Sequence, residues 1–161
     1  MSINKASMFE ELMDTCKKLN IEPNHILISH GGASLVYDMR EYTGDIDVEV
    51  LDVGDWNILK FIYPNNIKHY PALGMCSAVD AIAVGNIDFH HPRGAFGLQG
   101  RETIIVNGFH ISSQKQLLVE RIKLGREKDM DDIHKLVALQ LAVDDEYKAK
   151  LHELLNTQWD K

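Results

Sequence analysis

The sequence predicts an α/β (α+β) fold, a mixed β-sheet flanked by helices with a helical C-terminal part. Three observations carry that expectation. Asp45 to Leu51 alternates carboxylate with aliphatic side chains, the period of two of a strand with two different faces. Phe9, Leu12, Met13, Cys16 and Leu19 recur instead at helical spacing. After Ser112 the strand-like runs stop and only helical patterns follow. A chain of 161 residues suffices for one domain. Residues 1–111 are expected to form the α/β body and residues 112–161 a helical part packed on it.

In chain order, Ser7 to Leu19 reads as the first helix, with Ser7 and Glu10 forming a capping box and Pro23 lying past its end. His25-Ile26-Leu27-Ile28-Ser29 is a short apolar run and reads as a buried strand. It runs into Gly31-Gly32-Ala33-Ser34, where the chain turns into a short helix marked by Leu35-Val36-Tyr37. After the strand Asp45–Leu51, Trp56 to Tyr63 and Ser77 to Val84 each fit either helix or strand, and Pro64-Asn65-Asn66 and Pro71 to Gly74 signal loops. Asn86 to Phe89 starts a strand. His90 to Gly100, with Pro92, Gly94, Gly97 and Gly100, reads as a loop or a long-tipped hairpin. Glu102–Val106, Asn107-Gly108 and Phe109-His110-Ile111 read as a hairpin or a strand with a bend. Ser113 with Gln116 is a second capping-box candidate, followed by Leu117, Leu118 and Ile122 at helical spacing. Beyond Gly125, a second C-terminal helix is marked by Met130, Ile133, Val137 and Leu141, and a third by Tyr147, Leu151, Leu154 and Leu155.

Composition narrows the class. Hydrophobic residues make up 45% and charged residues 25%, which excludes a disordered or fibrous chain. No apolar run approaches a membrane span, and MSINKASMFEELMDTCKK lacks the pattern of a secretory signal. Two cysteines, Cys16 and Cys76, cannot build a disulfide scaffold, so a cytoplasmic protein is expected. Seventeen basic against 24 acidic residues leave a net charge of −7, which opposes broad binding to nucleic acid but not one local phosphate contact.

The chemistry concentrates in SHGGASLVYDMREYTGDIDVEV, Ser29 to Val50. Side chains two apart on a strand share a face, so Asp45 and Asp47 project together and Glu49 continues that row as an auxiliary or solvent-facing acid. Paired carboxylates repel unless a cation sits between them, and hard divalent cations such as Mg²⁺ favour oxygen ligands shared with phosphate. Upstream, a Gly pair at a helix start lets backbone approach an anion. Either feature alone is ordinary, a turn or a solvated pair; together, on consecutive strands, they point to a metal-bound phosphate.

That combination resembles the signature of the nucleotidyltransferase fold superfamily, the polymerase-β-like nucleotidyltransferases. Here it reads Gly31-Gly32, a gap, then Asp45-Ile46-Asp47-Val48. Arg40-x-x-Thr43-x-Asp45 is similar to the Arg-x-Thr-x-Asp run of small members, with one extra residue between Arg and Thr. Arg121-Ile122-Lys123-Leu124-Gly125-Arg126-Glu127-Lys128-Asp129-Met130-Asp131-Asp132-Ile133 resembles a helix motif of the small abortive-infection and antitoxin nucleotidyltransferases. Arg121 stands there for their Lys, and Leu124 for a small residue.

The resemblance implies transfer of a nucleoside monophosphate from an NTP to an acceptor, with two Mg²⁺ ions held by Asp45, Asp47 and a third carboxylate that also takes the proton. Asp88 is the candidate for that carboxylate and Asp80 the reserve. Gly31 and Gly32, helped by Ser34, would hold phosphates, with Arg126 and Lys128 as further phosphate ligands unless they serve only to fix their helix. His30 reads as packed or capping, while the neighbours His90 and His91 point to opposite faces of a strand and so cannot share one metal. The other function in view is a non-catalytic member, an antitoxin-like partner or a nucleotide sensor. The expected partners are the nucleotide triphosphate and a partner protein or second copy, with no membrane.

Overall fold

The computed structural model describes residues 2–92, 101–140 and 152–153. In chain order the elements are α1 (Lys5–Leu19), β1 (Ile26–Ser29), α2 (His30–Val36), β2 (Ile46–Val50), α3 (Val53–Ile62), β3 (Ile67–Tyr70), β4 (Val79–Val84), β5 (Ile87–His90), β6 (Thr103–Val106), β7 (Phe109–Ser112), α4 (Gln114–Leu124) and α5 (Met130–Gln140). The two ambiguous segments separate, Trp56 falling in the helix α3 and Val79–Val84 forming the strand β4. The loop around Gly94, Gly97 and Gly100, as well as Leu141, Tyr147, Leu151, Leu154 and Leu155, lie outside the described residues.

The seven strands form one mixed sheet in the order β3-β4-β5-β2-β1-β7-β6. β2 is antiparallel to β1 and parallel to β5, and β1 is parallel to β7. Ile26, Ile28, Ile46, Val48, Val50, Ile82, Ile87, Phe89, Phe109 and Ile111 are all buried, alternating along their strands on one face. They share a core with Met8, Leu12 and Cys16 of α1, and with Leu117, Leu118, Ile122, Ile133 and Leu136 of α4 and α5. The other face of the central strands carries Ser29, Asp47, Glu49, Asp88 and His90, brought into line by the register Ser29↔Asp47↔Asp88 and Glu49↔His90.

Local details depart from the sequence reading in instructive ways. Ser7 is not the cap of α1 but the third residue inside it. Asn4 accepts from the Ser7 amide at 2.8 Å while the Asn4 amide donates to Ser7 Oγ at 3.0 Å, so the helix starts two residues earlier. Ser113 does cap α4, but Gln116 Oε1 turns to the Glu102 amide instead of closing the box. Asn107 and Gly108, at φ 51° and 86°, make the tight β6–β7 hairpin with both residues left-handed.

Gly31 and Gly32 sit inside the first turn of α2 rather than in a turn ahead of it, and the left-handed residue at the strand–helix elbow is His30, at φ 53°. The glycines answer a packing demand. A Cβ on Gly32 would lie 2.9 Å from both Ile28 Cγ2 and Met8 Sδ, and one on Gly31 would run into Thr43 Oγ1. Thr43 is itself pinned by an isolated bridge to Ile3, with amide–carbonyl bonds of 2.8 and 2.9 Å.

Arg121, 1% exposed, ties this elbow to the C-terminal helices. Its Nη2 donates to the His30 carbonyl and, at 2.7 Å, to Ser34 Oγ, while Nε lies 3.5 Å from Asp132 on α5. Ser34 donates to Asp132 at 2.8 Å, and Arg40 Nη2 donates to the same carboxylate at 2.8 Å. Removing one member of such a buried network strands the rest, at a cost of about 3 kcal/mol. Arg121→Met is therefore expected to lose about that much stability in urea unfolding, and Arg121→Lys to recover only part, since one ammonium lacks the fork that reaches carbonyl and hydroxyl together.

Candidate active site

Asp47 lies on β2 directly beside Asp88 on β5, and Asp45 precedes β2 by one residue. The three carboxylates present oxygens all within 4.8 Å of one another. Asp88 is 5% exposed, whereas Asp45 faces solvent. Three like charges this close are costly. Partial burial, then Asp47 and Asp88, push the Asp45 carboxyl above its usual range, and Lys128 and Lys68 offset this only in part. Burial is the largest single influence on Asp47 and acts to raise it, but the hydrogen bond donated by His90 Nε2, 3.0 Å away, together with the charges of His30, His90 and Arg126, outweighs it and leaves Asp47 lowered.

Asp88 is held by two side chains of β3. Lys68 Nζ lies 3.2 Å from Oδ1, and the Tyr70 hydroxyl donates to Oδ2 at 2.9 Å. Burial and then the bond to Asp88 raise the Tyr70 phenol, so it stays a donor. Both side chains cross β4 to reach β5; β4 places Val79 opposite Tyr70, Ala81 opposite Lys68 and His90, and Ala83 opposite Asp88. The ring of His90 stacks on Tyr70 with centroids 5.4 Å apart and lies 5.8 Å from that of His30. Burial lowers the His30 pKa to about 3, so the ring is neutral near pH 7. His91 points elsewhere, edge-on to Trp56 at 5.1 Å.

A cavity of about 440 Å³ opens beside the carboxylates. One wall carries His30, Gly31, Arg40, Thr43, Asp45 and Asp47; another carries Arg121, Arg126 and Lys128; the third is largely apolar, with Tyr70, Pro71, Leu73, Cys76, Val79 and Leu124. Pro71, Leu73 and Cys76 of the apolar wall belong to the 71–78 segment, which docks on the end of α4 through the Met75 amide and the Lys123 carbonyl at 2.9 Å.

Of the residues expected at the site, Asp45, Asp47, Gly31, Arg126 and Lys128 line this cavity, and Asp88 joins the carboxylate cluster. Gly32 faces the core, and Ser34 is wholly buried, its hydroxyl engaged with Asp132 and Arg121. Arg126 is half committed, its Nε and Nη2 donating to the buried Asp129 at 2.7 and 2.9 Å. Asp80 turns to the opposite face, three residues from Ala83, and pairs with His69 at 2.5 Å. Glu49 is neither solvent-facing nor part of the cluster; Arg101 clamps it with bonds of 2.7 and 2.8 Å and bridges to Glu120. Sequence reasoning named Arg40 and Thr43 only as part of a motif and passed over Lys68 and Tyr70; the alternation Ile67-Lys68-His69-Tyr70 was the available signal for β3.

Two solved structures share this architecture. One is titled "putative nucleotidyltransferase from H. pylori", with a TM-score of 0.52 at 12% identity, covering 98% of this chain and 82% of that one. The other is JHP933 from Helicobacter pylori, with a TM-score of 0.50 at 12% identity, covering 98% and 80%. The chain has the nucleotidyltransferase fold. Compared with family models and with curated proteins, the sequence matches none. Within the nucleotidyltransferase fold, the oxygen-only cluster of Asp45, Asp47 and Asp88 suits a hard divalent cation, and its mutual repulsion is what such a cation relieves.

That repulsion is testable without ligand. A raised carboxyl pKa destabilises the fold once the group is ionised, fully above its folded pKa and not at all below its unfolded value of 3.8. Asp45→Asn is expected to raise the thermal midpoint at pH 7 in metal-free buffer, with the gain vanishing below pH 3.8.

Proposed function

We propose that this chain is a Mg²⁺-dependent nucleotidyltransferase that moves a nucleoside monophosphate from an NTP to an acceptor and releases pyrophosphate. The observation that carries the reading is the convergence of Asp45, Asp47 and Asp88 beside a cavity with a cationic wall and an apolar wall. In the transfer, an acceptor oxygen bonds to the α-phosphorus, the bond to the pyrophosphate oxygen breaks, and the acceptor proton leaves to a carboxylate. Asp45, Asp47 and Asp88 would hold two Mg²⁺ ions, which when bound supply charge neutralisation of the phosphates and acidify the acceptor.

The chain's own groups divide the remaining work. Lys128 and the uncommitted edge of Arg126 face the phosphates, and Gly31, bare of a side chain, leaves the backbone of α2 open toward them. His90 holds the Asp47 carboxylate in place and keeps it ionised. Tyr70, Pro71, Leu73 and Val79 give the base a surface to lie on. Asp88 accepts the proton.

A second reading, a regulatory protein that keeps the fold without turnover, is favoured by α3. Its Val53, Ile58, Phe61 and Ile62 are exposed, Phe61 at 88%, as suits a protein partner. Calorimetric titration of ATP, GTP, CTP and UTP with Mg²⁺ separates the two. Metal-dependent binding of an NTP, reduced at least about 100-fold in Asp45→Ala/Asp47→Ala, is the expected outcome for the enzyme; binding of none by the wild type would sink it and favour the partner reading.

A further inference from the structure

Asp88 differs from its two neighbours in having a cation of its own. It is buried, both its oxygens are engaged, and one of the partners is the ammonium of Lys68 at 3.2 Å. Asp47 pairs with the imidazole of His90, and among the described residues no ion pair joins Asp45 to a base. Lys68 does not belong to the core. Its side chain is about half exposed, on a strand at the edge of the sheet, and it reaches Asp88 only because Ala81 and Ala83 leave the crossing over β4 unobstructed.

We propose that Lys68 is the resident cation of the third carboxylate. Nucleotide-free protein then takes one divalent ion, at Asp45 and Asp47, and Asp88 becomes a ligand and base only after Lys68 has swung away. This rests on the carboxylate cluster being a metal site. Three carboxylates and one ammonium leave two negative charges, which one divalent ion balances; without the ammonium the cluster attracts a second. The entry of a metal-bearing nucleotide makes the exchange favourable, because the ammonium of Lys68 is then free to face the phosphates it has been excluded from. Tyr70, being neutral, keeps its hydrogen bond to Asp88 throughout and fixes the carboxylate's orientation.

The test is Mn²⁺ binding by electron paramagnetic resonance and calorimetry on the full chain, without nucleotide. Wild type is expected to bind one ion. Lys68→Met, which keeps the aliphatic stem, is expected to bind two, or to bind the first at least about tenfold more tightly. Lys68→Arg restores the cation and should return to the wild-type stoichiometry, and Tyr70→Phe should not leave it; a purely structural role for Lys68 would not make stoichiometry follow charge. Circular dichroism on each variant reports folding, and if Lys68→Met does not fold, Lys68→Gln, equally neutral, carries the same expectation. Two ions on wild type, or the same number and affinity in wild type and Lys68→Met, overturns the proposal while leaving the metal site standing. No ion on any chain overturns both.

Discussion

The buried guanidinium of Arg121 is the constraint on which the site depends. A charge that deep is tolerated only where it is compensated: Nη2 donates to the His30 carbonyl and to Ser34 Oγ, and the Asp132 carboxylate lies 3.5 Å from Nε as its ion-pair partner. Burial is the main force opposing its charge, and Asp132 and Asp129 are the main forces sustaining it. The consequence reaches the opposite end of α2. By gripping the carbonyl of a left-handed His30, Arg121 fixes the elbow that sets the His30 ring beside His90 and the bare Gly31 beside Thr43. In the same motif Asp129 holds Arg126 and Asp132 holds Arg40, so the two acids of this helix pair orient the cations of the cavity wall.

The second organising feature is the division of labour between the faces of one sheet. Odd and even positions of β2 diverge completely: Ile46, Val48 and Val50 enter the core, while Asp47 and Glu49 form the polar row. Each acid in that row is handled by a different neighbour. His90 stabilises Asp47, Lys68 and Tyr70 take Asp88, and Arg101 neutralises Glu49 together with Glu120, leaving Asp45 as the member whose charge is least compensated.

Much of this was legible in the residues. Period-two alternation exposes Asp45 and Asp47 as a pair, and Asp88 stands at a turn that opens an apolar strand, so the carboxylates could be named before their positions were known. What local pattern cannot convey is which neighbour a side chain will meet. The Gly pair reads as a place for a ligand, yet Gly32 is empty because Met8 of α1 and Ile28 need the space, and Ser34 is a core hydroxyl because Arg121 arrives from 87 residues away. β3 escaped notice for a similar reason, since four residues with one half-buried aliphatic look like loop until the sheet supplies an edge for them.

The hairpins β4–β5 and β6–β7 close through two-residue turns, so their pairing involves only near neighbours in the chain. The contact that unites the carboxylates does not. β2 and β5 run parallel, and Asp47 meets Asp88 only when a long connection holding α3, β3 and β4 has closed. Such non-local pairing is late in folding because chain entropy must be lost before it is rewarded. The acidic cluster is thus a property of the finished tertiary structure, absent from any locally folded fragment. On the ribosome, a nascent chain carries Asp45 and Asp47 without their third carboxylate until β5 has been made and docked.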